Sequence, residues 1–377
     1  MDLSTAEHRH DHGGMSAVTD FTRWLDTDFA EINTALEEAY FTARAEIVYD
    51  VEDLDQRKRA LRDDGAALVT RLGTAPATYE LLGAVGLYLA ACRRHEIDVP
   101  EPAQAVAGRL GLALGVAPRM VFAHMSTHNS AGHAFTRLPD EDVFTRYNAL
   151  GVLAYQRAAS ALRRAGGVPV DGPLAAQLLD DARSALDDVL GFSRTLAAEL
   201  DRDRFFLNVR PYFKPHVVCG HEYRGANAGD YSAVNEIDLA LGLSDPTDPF
   251  YQGILAEKYP YVPPEDQPRL RTPPVDLLAR IEPGSPNADR FLAVCRAHGA
   301  AYAFHHHRLV RPFLAEPAEN APPDRLARLT ASGPPLDVVL ASLSRLVDLR
   351  AARDRPGTAH AALAALRRGS QTRLSTV

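Results

Sequence analysis

Three consecutive histidines, His305, His306 and His307, interrupt the apolar stretch AYAFHHHRLVRPF. A neutral imidazole can ligate a metal or move a proton, but only one of three in a row can occupy the centre of a helix face. The preceding text, GSPNADRF, reads as a helix start, with Ser285 as N-cap, Pro286 in the first turn and Asp289 at the positive end of the dipole. At helical spacing Phe291, Cys295, Tyr302 and Leu309 form one stripe. His306 falls near its centre, His305 on its shoulder and His307 towards the opposite side. A buried imidazole needs a partner, which is a carbonyl, a carboxylate or a metal. A lone inward histidine suits heme, which takes one protein ligand, better than zinc, which takes three or four. Neither HExxH nor a paired carboxylate–histidine motif accompanies it.

A second pattern is DRDRFFLNVRPYF, in which Arg210 follows Phe205 and Phe206 by five and four positions. On a helix Phe206 and Arg210 share a face. A fixed guanidinium beside aromatic rings can hold an amino-acid carboxylate bidentately while the rings pack its side chain. The same spacing equally suits an arginine reaching from an aromatic core to a surface acid. A small-residue loop follows, YRGANAGDYSAVNEIDLALG, in which Gly225, Ala226, Ala228 and Gly229 admit close approach and Asn227 and Ser232 offer polar contacts. It matches neither a P-loop nor a dinucleotide fingerprint.

The elements that must position these groups read as helices throughout. Long segments with apolar residues at helical spacing begin after Asp20, at TYELLGAVG, EDVFTRYNALG, LAAQLLDDARS and PPLDVVLASLS. No βαβ rhythm appears, so the expected fold class is all-α. Proline-rich zones at Pro246–Pro274 and Pro317–Pro335 read as loops over a helical body. The expected organisation is a tail at 1–15, a smaller N-terminal helical portion at 16–116, a helical catalytic domain at 117–367 and a tail at 368–377. The 377-residue chain carries a net charge of -8, which argues against nucleic acid and anionic membranes as partners. No apolar run spans a bilayer and no secretion signal is visible. Cys92, Cys219 and Cys295 lie far apart, which suits free thiols in a reducing cytoplasm. His8, His10 and His12 alternate in a polar N-terminal tract that reads as a tail.

Taken together, these stretches resemble the heme-dependent tryptophan and indoleamine dioxygenase superfamily. The branch most similar contains monodechloroaminopyrrolnitrin synthase and the heme-dependent tyrosine hydroxylases, through CRRHEIDVPEP, LPDED, RPYFKP, CGHEYRG and EKYPYVPP. The resemblance covers roughly residues 80 to 315. It implies heme b with His306 as the iron ligand, and Arg210 and Phe205 on the substrate. APRMVFAHMSTHN resembles the distal-pocket segment, placing Phe122 and Met125 near the substrate. YNALGVLAYQRAAS resembles the distal helix, placing Tyr147, Asn148 and Gly151 over the iron. Asn227, Ala228, Gly229 and Ser232 resemble the loop over the heme edge. His128 and Asn148 stand where a phenol or a peroxide would be met, and His124 lies beside them.

Two departures matter: Ala303 stands where indoleamine dioxygenases have an arginine, and the distal segment carries two histidines. The expected activity is hydroxylation of L-tyrosine ortho to its phenol, giving L-DOPA, with hydrogen peroxide as oxidant and a role in specialised metabolism. The expected assembly is a homodimer. Oxidation of tryptophan or chlorotryptophan on the same fold is the alternative reading. A helical heme sensor without turnover is a third reading, of another class.

Overall fold

The computed structural model describes residues 15–319 and 336–374, which form two compact units. The protein is all-α, as expected; among the described residues the strands are a single antiparallel hairpin, His216–Val218 with His221–Tyr223. Its turn, Cys219-Gly220, has positive φ at both residues (51° and 76°), which suits the right-handed twist of a two-residue hairpin. The N-terminal tract with His8, His10 and His12 lies outside the described residues, as does most of the second proline-rich zone.

The first unit comprises the described residues up to Arg146 together with Leu200–Asp230. A helix over 15–24 continues through a π-helical turn, Leu25–Phe29, into Ala30–Thr42. The helix thus begins before Asp20 rather than after it, and the Asp20 carboxylate pairs with Arg23 and Arg71. Helix Tyr79–Arg94 runs through the middle of this unit. It begins at a true cap, Thr78, whose hydroxyl accepts from the Leu81 amide at 3.2 Å. Every residue from Leu81 to Cys92 is buried. That burial demands small residues: a Cβ at Gly86 would stand 2.2 Å from the backbone nitrogen of Met120. The segment carrying Arg119 and Met120 thus lies directly against this helix. Glu101–Leu114 precedes it and ends at Gly115 in the left-handed conformation (φ 67°).

The second unit comprises Tyr147–Glu199 and the described residues from Tyr231 onward. Helix Ala288–Phe304 packs along Pro173–Glu199 and against Leu336–Arg350 and His360–Leu374. A core of Leu239, Tyr251, Leu255, Tyr302, Leu346 and Val347 joins several of these elements. The approach is close at Gly299, where a Cβ would meet the Ala351 Cα at 2.9 Å.

Four expectations are corrected. Ala117 lies inside the first unit, and the division falls between Arg146 and Tyr147, within the continuous helix Pro139–Gly166, where composition shows no break. The zone Pro246–Pro274 contains helices Pro249–Lys258 and Gln267–Arg271, because Pro249 and Pro268 sit in first turns, where no amide hydrogen is needed. The C-terminal helix persists to Leu374 and is docked by Leu363, Leu366 and Ser370. The histidine helix begins at Ala288 with Asn287 as N-cap, and the Ser285 hydroxyl is turned to Asp171.

Candidate active site

The first unit assembles an aromatic cluster around the Phe–Phe–Arg pattern. Asp201 caps the short turn Arg202–Arg204, accepting from the Arg204 amide at 2.8 Å. The chain then widens into a π-helical turn, Phe205–Val209, and tightens into a 3-10 turn, Arg210–Phe213. Phe205 packs on Phe144 at 5.1 Å between ring centroids, and Phe122 lies 6.0 Å from Phe144 and 6.2 Å from Phe213. Phe135 stacks on Tyr212 at 4.1 Å. Met125 is buried on the 3-10 turn that carries Phe122. Phe144, Phe213, Phe135 and Tyr212 were not singled out in the sequence, although EDVF and RPYF carry three of them.

Arg210 is buried, with its guanidinium carbon 4.4 Å from the centroid of the Phe206 ring. Its Nε donates to the Phe206 carbonyl at 3.3 Å. Burial pulls its pKa down to about 10, with Glu46 working against the shift and Arg94 adding to it. Below it, Arg94 makes a bidentate pair with Glu37 (2.7 and 2.9 Å), fully buried on both sides. The same guanidinium donates to the carbonyls of Glu46 (2.7 Å) and Leu207 (3.1 Å) and so ties the two flanking segments together. Lys214 pairs with Glu46. Burial and the nearby Arg210 bring Lys214 down to about 8. Burial acts to raise the Glu46 carboxyl, but Lys214, Arg210 and Arg94 together hold it below its ordinary value. Arg94, Arg210 and Lys214 thus gather with Glu37 and Glu46 in one buried charge network.

His128 lies elsewhere in this unit. With His124 it lines a cavity of about 160 Å³ whose walls include Thr78, Glu80, Gly83 and Asn129. Phe122, Phe205 and Arg210 are not among its lining residues. His124 Nδ1 accepts from the Val121 amide at 3.2 Å, and burial pulls its pKa down to about 3. Tyr79 lies against both imidazoles, 4.1 Å from His124 and 5.1 Å from His128. The loop is internally braced: Arg224 grips Asp230 (2.7 and 3.0 Å), Asp230 accepts from the Asn227 amide at 3.0 Å, and Asn227 Oδ1 accepts from the Gly229 amide at 2.8 Å. Asn227 is exposed, while Ala228 and Gly229 are half-buried.

In the second unit, Tyr147 and Asn148 are half-buried, and Tyr147 donates to Glu199 at 3.3 Å. One turn on, a Cβ at Gly151 would meet no atom within 4 Å. Ser232 is fully buried; its hydroxyl donates to Glu236 at 2.7 Å and its amide to Asp266 at 3.0 Å, so its side chain is engaged within the fold. The three histidines open a π-helical segment, His305–Ala315, with Pro312 inside it. Proline has no amide to close an α-helical bond, which favours the wider helix. The wider turn alters the angular register on which the stripe assignment depended. His305 and His306 are half-buried and His307 is exposed. His305 stacks on Tyr302 (6.0 Å, 26°), and desolvation brings it down to about 4; desolvation also lowers His306, with His307 and Arg311 contributing. Nδ1 of each ring is buried with no hydrogen-bond partner among the described residues.

A family model for monodechloroaminopyrrolnitrin synthase (PrnB) matches residues 15–369. The chain belongs to this family. No individual curated protein matched it. Membership in the monodechloroaminopyrrolnitrin synthase family supports a heme-dependent oxygenase of the tryptophan-related kind, and hence an oxidoreductase. The residues present fit such a group. Two neutral imidazoles with unsatisfied ring nitrogens supply a donor, and Gly151 leaves space above its helix. Among the described residues no cluster of three or more His, Cys, Asp and Glu could hold a metal on its own. No helix of the described residues is long and apolar enough to cross a membrane.

Proposed function

We propose that this member of the monodechloroaminopyrrolnitrin synthase family is a histidine-ligated heme enzyme that hydroxylates L-tyrosine ortho to its phenol, with hydrogen peroxide as oxidant. The observation that carries the reading is the buried Arg210, packed on the Phe206 ring in the unit that also assembles the Phe205, Phe144 and Phe122 rings. Arg210 donates to the carboxylate of the amino acid in a bidentate, charge-assisted contact. Phe205, Phe144 and Phe122 pack the aromatic ring and keep water from it. His306 holds the heme iron, with His305, the more strongly desolvated ring, as the competing ligand. Both stay neutral at physiological pH, so a lone pair is available without prior loss of a proton. Bound heme supplies the oxidising iron centre at which peroxide is consumed. The balance is one tyrosine and one peroxide to one L-DOPA and one water. Asn148 is the polar group assigned to the phenol or peroxide; His128 belongs with the separate cavity of the first unit.

The family name favours a second reading, in which an indole amino acid occupies the same carboxylate clamp. The absorption spectrum separates the two. A Soret band perturbed by L-tyrosine and not by L-tryptophan, followed by L-DOPA formation on adding peroxide, is the expected result. Perturbation by L-tryptophan alone replaces the tyrosine reading with the indole one. His306→Ala is expected to lose the band, while His305→Ala keeps it; the reverse moves the ligand to His305.

A further inference from the structure

Two adjacent imidazoles compete for one iron, and the second unit holds the two rings differently. The His305 ring is turned to the closed charge network around Asp238. It stacks on Tyr302 at 6.0 Å between centroids and 26° between planes, and the Arg350 guanidinium acts on it. Tyr302 is itself held. Its side chain is buried in a core with Tyr251, Leu346 and Val347, and the Arg350 guanidinium carbon lies 4.1 Å from its ring centroid. Arg350 in turn is fixed on Asp238 through Nε and Nη2, at 2.9 and 2.8 Å. A ring stacked on such a partner cannot turn without giving up the contact, and a close-packed core does not admit a porphyrin. The His306 ring has another setting. It meets the His307 ring edge-on at 4.9 Å, and the groups that act on it, His307, Arg311 and Arg353, are all exposed.

We propose, resting on His306 as the heme ligand, that Tyr302 is a positioning residue for heme ligation: by stacking on His305 it holds that ring against the Arg350–Asp238 network and leaves His306 to the iron. The aromatic ring makes this contact and the hydroxyl does not. Tyr302→Phe therefore keeps the selection, whereas Tyr302→Leu releases His305 as a second ligand.

The test is the absorption spectrum of the heme-reconstituted full chain, with far-ultraviolet circular dichroism to show that each variant is folded. His306→Ala is expected to lose the Soret band of the ligated heme. His306→Ala/Tyr302→Leu is expected to regain it, and His306→Ala/Tyr302→Phe is not. Adding His305→Ala to the leucine variant should abolish the band again. A folded His306→Ala/Tyr302→Leu without the band, or a phenylalanine counterpart that regains it equally, overturns the proposal. Should the leucine double variant not fold, Tyr302→Leu alone decides through electron paramagnetic resonance of the ferric heme. Two ligation states there, reduced to one by His305→Ala, support the role of Tyr302; a single state identical to the parent's overturns it. The outcomes also separate two levels. No band in the parent, or a band that survives His306→Ala and vanishes in His305→Ala, removes the His306 assignment itself. A band lost in His306→Ala and not regained with Tyr302→Leu removes only the role of Tyr302.

Discussion

Each unit buries a charge network, and the two are balanced differently. In the second unit Asp238 accepts from four side-chain donor atoms within 3 Å: Arg350 Nε and Nη2 at 2.9 and 2.8 Å, His298 Nε2 at 2.7 Å and the Tyr251 hydroxyl at 2.7 Å. Burial acts to raise the Asp238 carboxyl, but Arg350 and His298 outweigh it and hold the group far below its usual range. One carboxylate meets one guanidinium there, and helices Ala233–Ala240, Pro249–Lys258, Ala288–Phe304 and Leu336–Arg350 meet at the pair. In the first unit Arg94, Arg210 and Lys214 gather with Glu37 and Glu46, and it is burial first, with a neighbouring arginine second, that pulls Arg210 and Lys214 down. A network that closes on one carboxylate fixes structure. A network of several cations and carboxylates beside aromatic rings also sets the charge that a neighbouring ligand would meet.

Breaking the closed network should produce the largest effect. Asp238→Ala leaves the Arg350 guanidinium, 3% exposed, buried without its carboxylate. A loss of about 3–5 kcal/mol is expected from urea unfolding midpoints, because an uncompensated buried charge is left behind. Asp238→Ala/Arg350→Met should recover much of that loss. Arg210→Leu should cost less stability than Asp238→Ala and show mainly in ligand binding, because the leucine left in its place needs no counter-charge. Affinity for L-tyrosine should fall by about 10- to 100-fold, equivalent to the ~1.5–3 kcal/mol of a charge-assisted contact. Equal stability losses in the two variants would erase the distinction between the networks.

The sequence shows these networks unevenly. The helical class was legible because long segments such as TYELLGAVGLYLAACRR keep an apolar face or are apolar throughout. Phe206 and Arg210 share a face in the structure because four-residue spacing nearly survives the change from π to 3-10 geometry. Glu46 and Lys214 were not legible as partners: 168 positions separate them, and neither lies in a motif whose spacing implies the contact. The Asp238–Arg350 pair, 112 positions apart, was hidden for the same reason. Among the histidines, periodicity suggested a single centre, but Pro312 and the π-helix change the rotation per residue, so His305 and His306 both retain a claim. Local pattern specifies elements; long-range charge pairing emerges only once they pack.

The smallest effect uses pH to tell the networks apart. A lysine at about 8 in the folded protein, against an ordinary value of 10.5, binds its proton less tightly when folded than when unfolded. Between these two values the unfolded chain therefore holds more protons, and stability rises with pH. The contribution is present above 10.5 and is lost as pH falls through 8. From pH 7 to pH 9 the parent should gain about 1 kcal/mol relative to Lys214→Met, read from urea midpoints, since each pH unit of such a difference is worth at most ~1.4 kcal/mol. Asp238→Asn should track its own baseline over the same range, because the Asp238 carboxyl is fully ionised well below pH 7. A parent that gains no stability relative to Lys214→Met over that step would show that Lys214 keeps an ordinary lysine value in the folded protein, and that its cluster, like the Asp238–Arg350 pair, is insensitive to pH in this range.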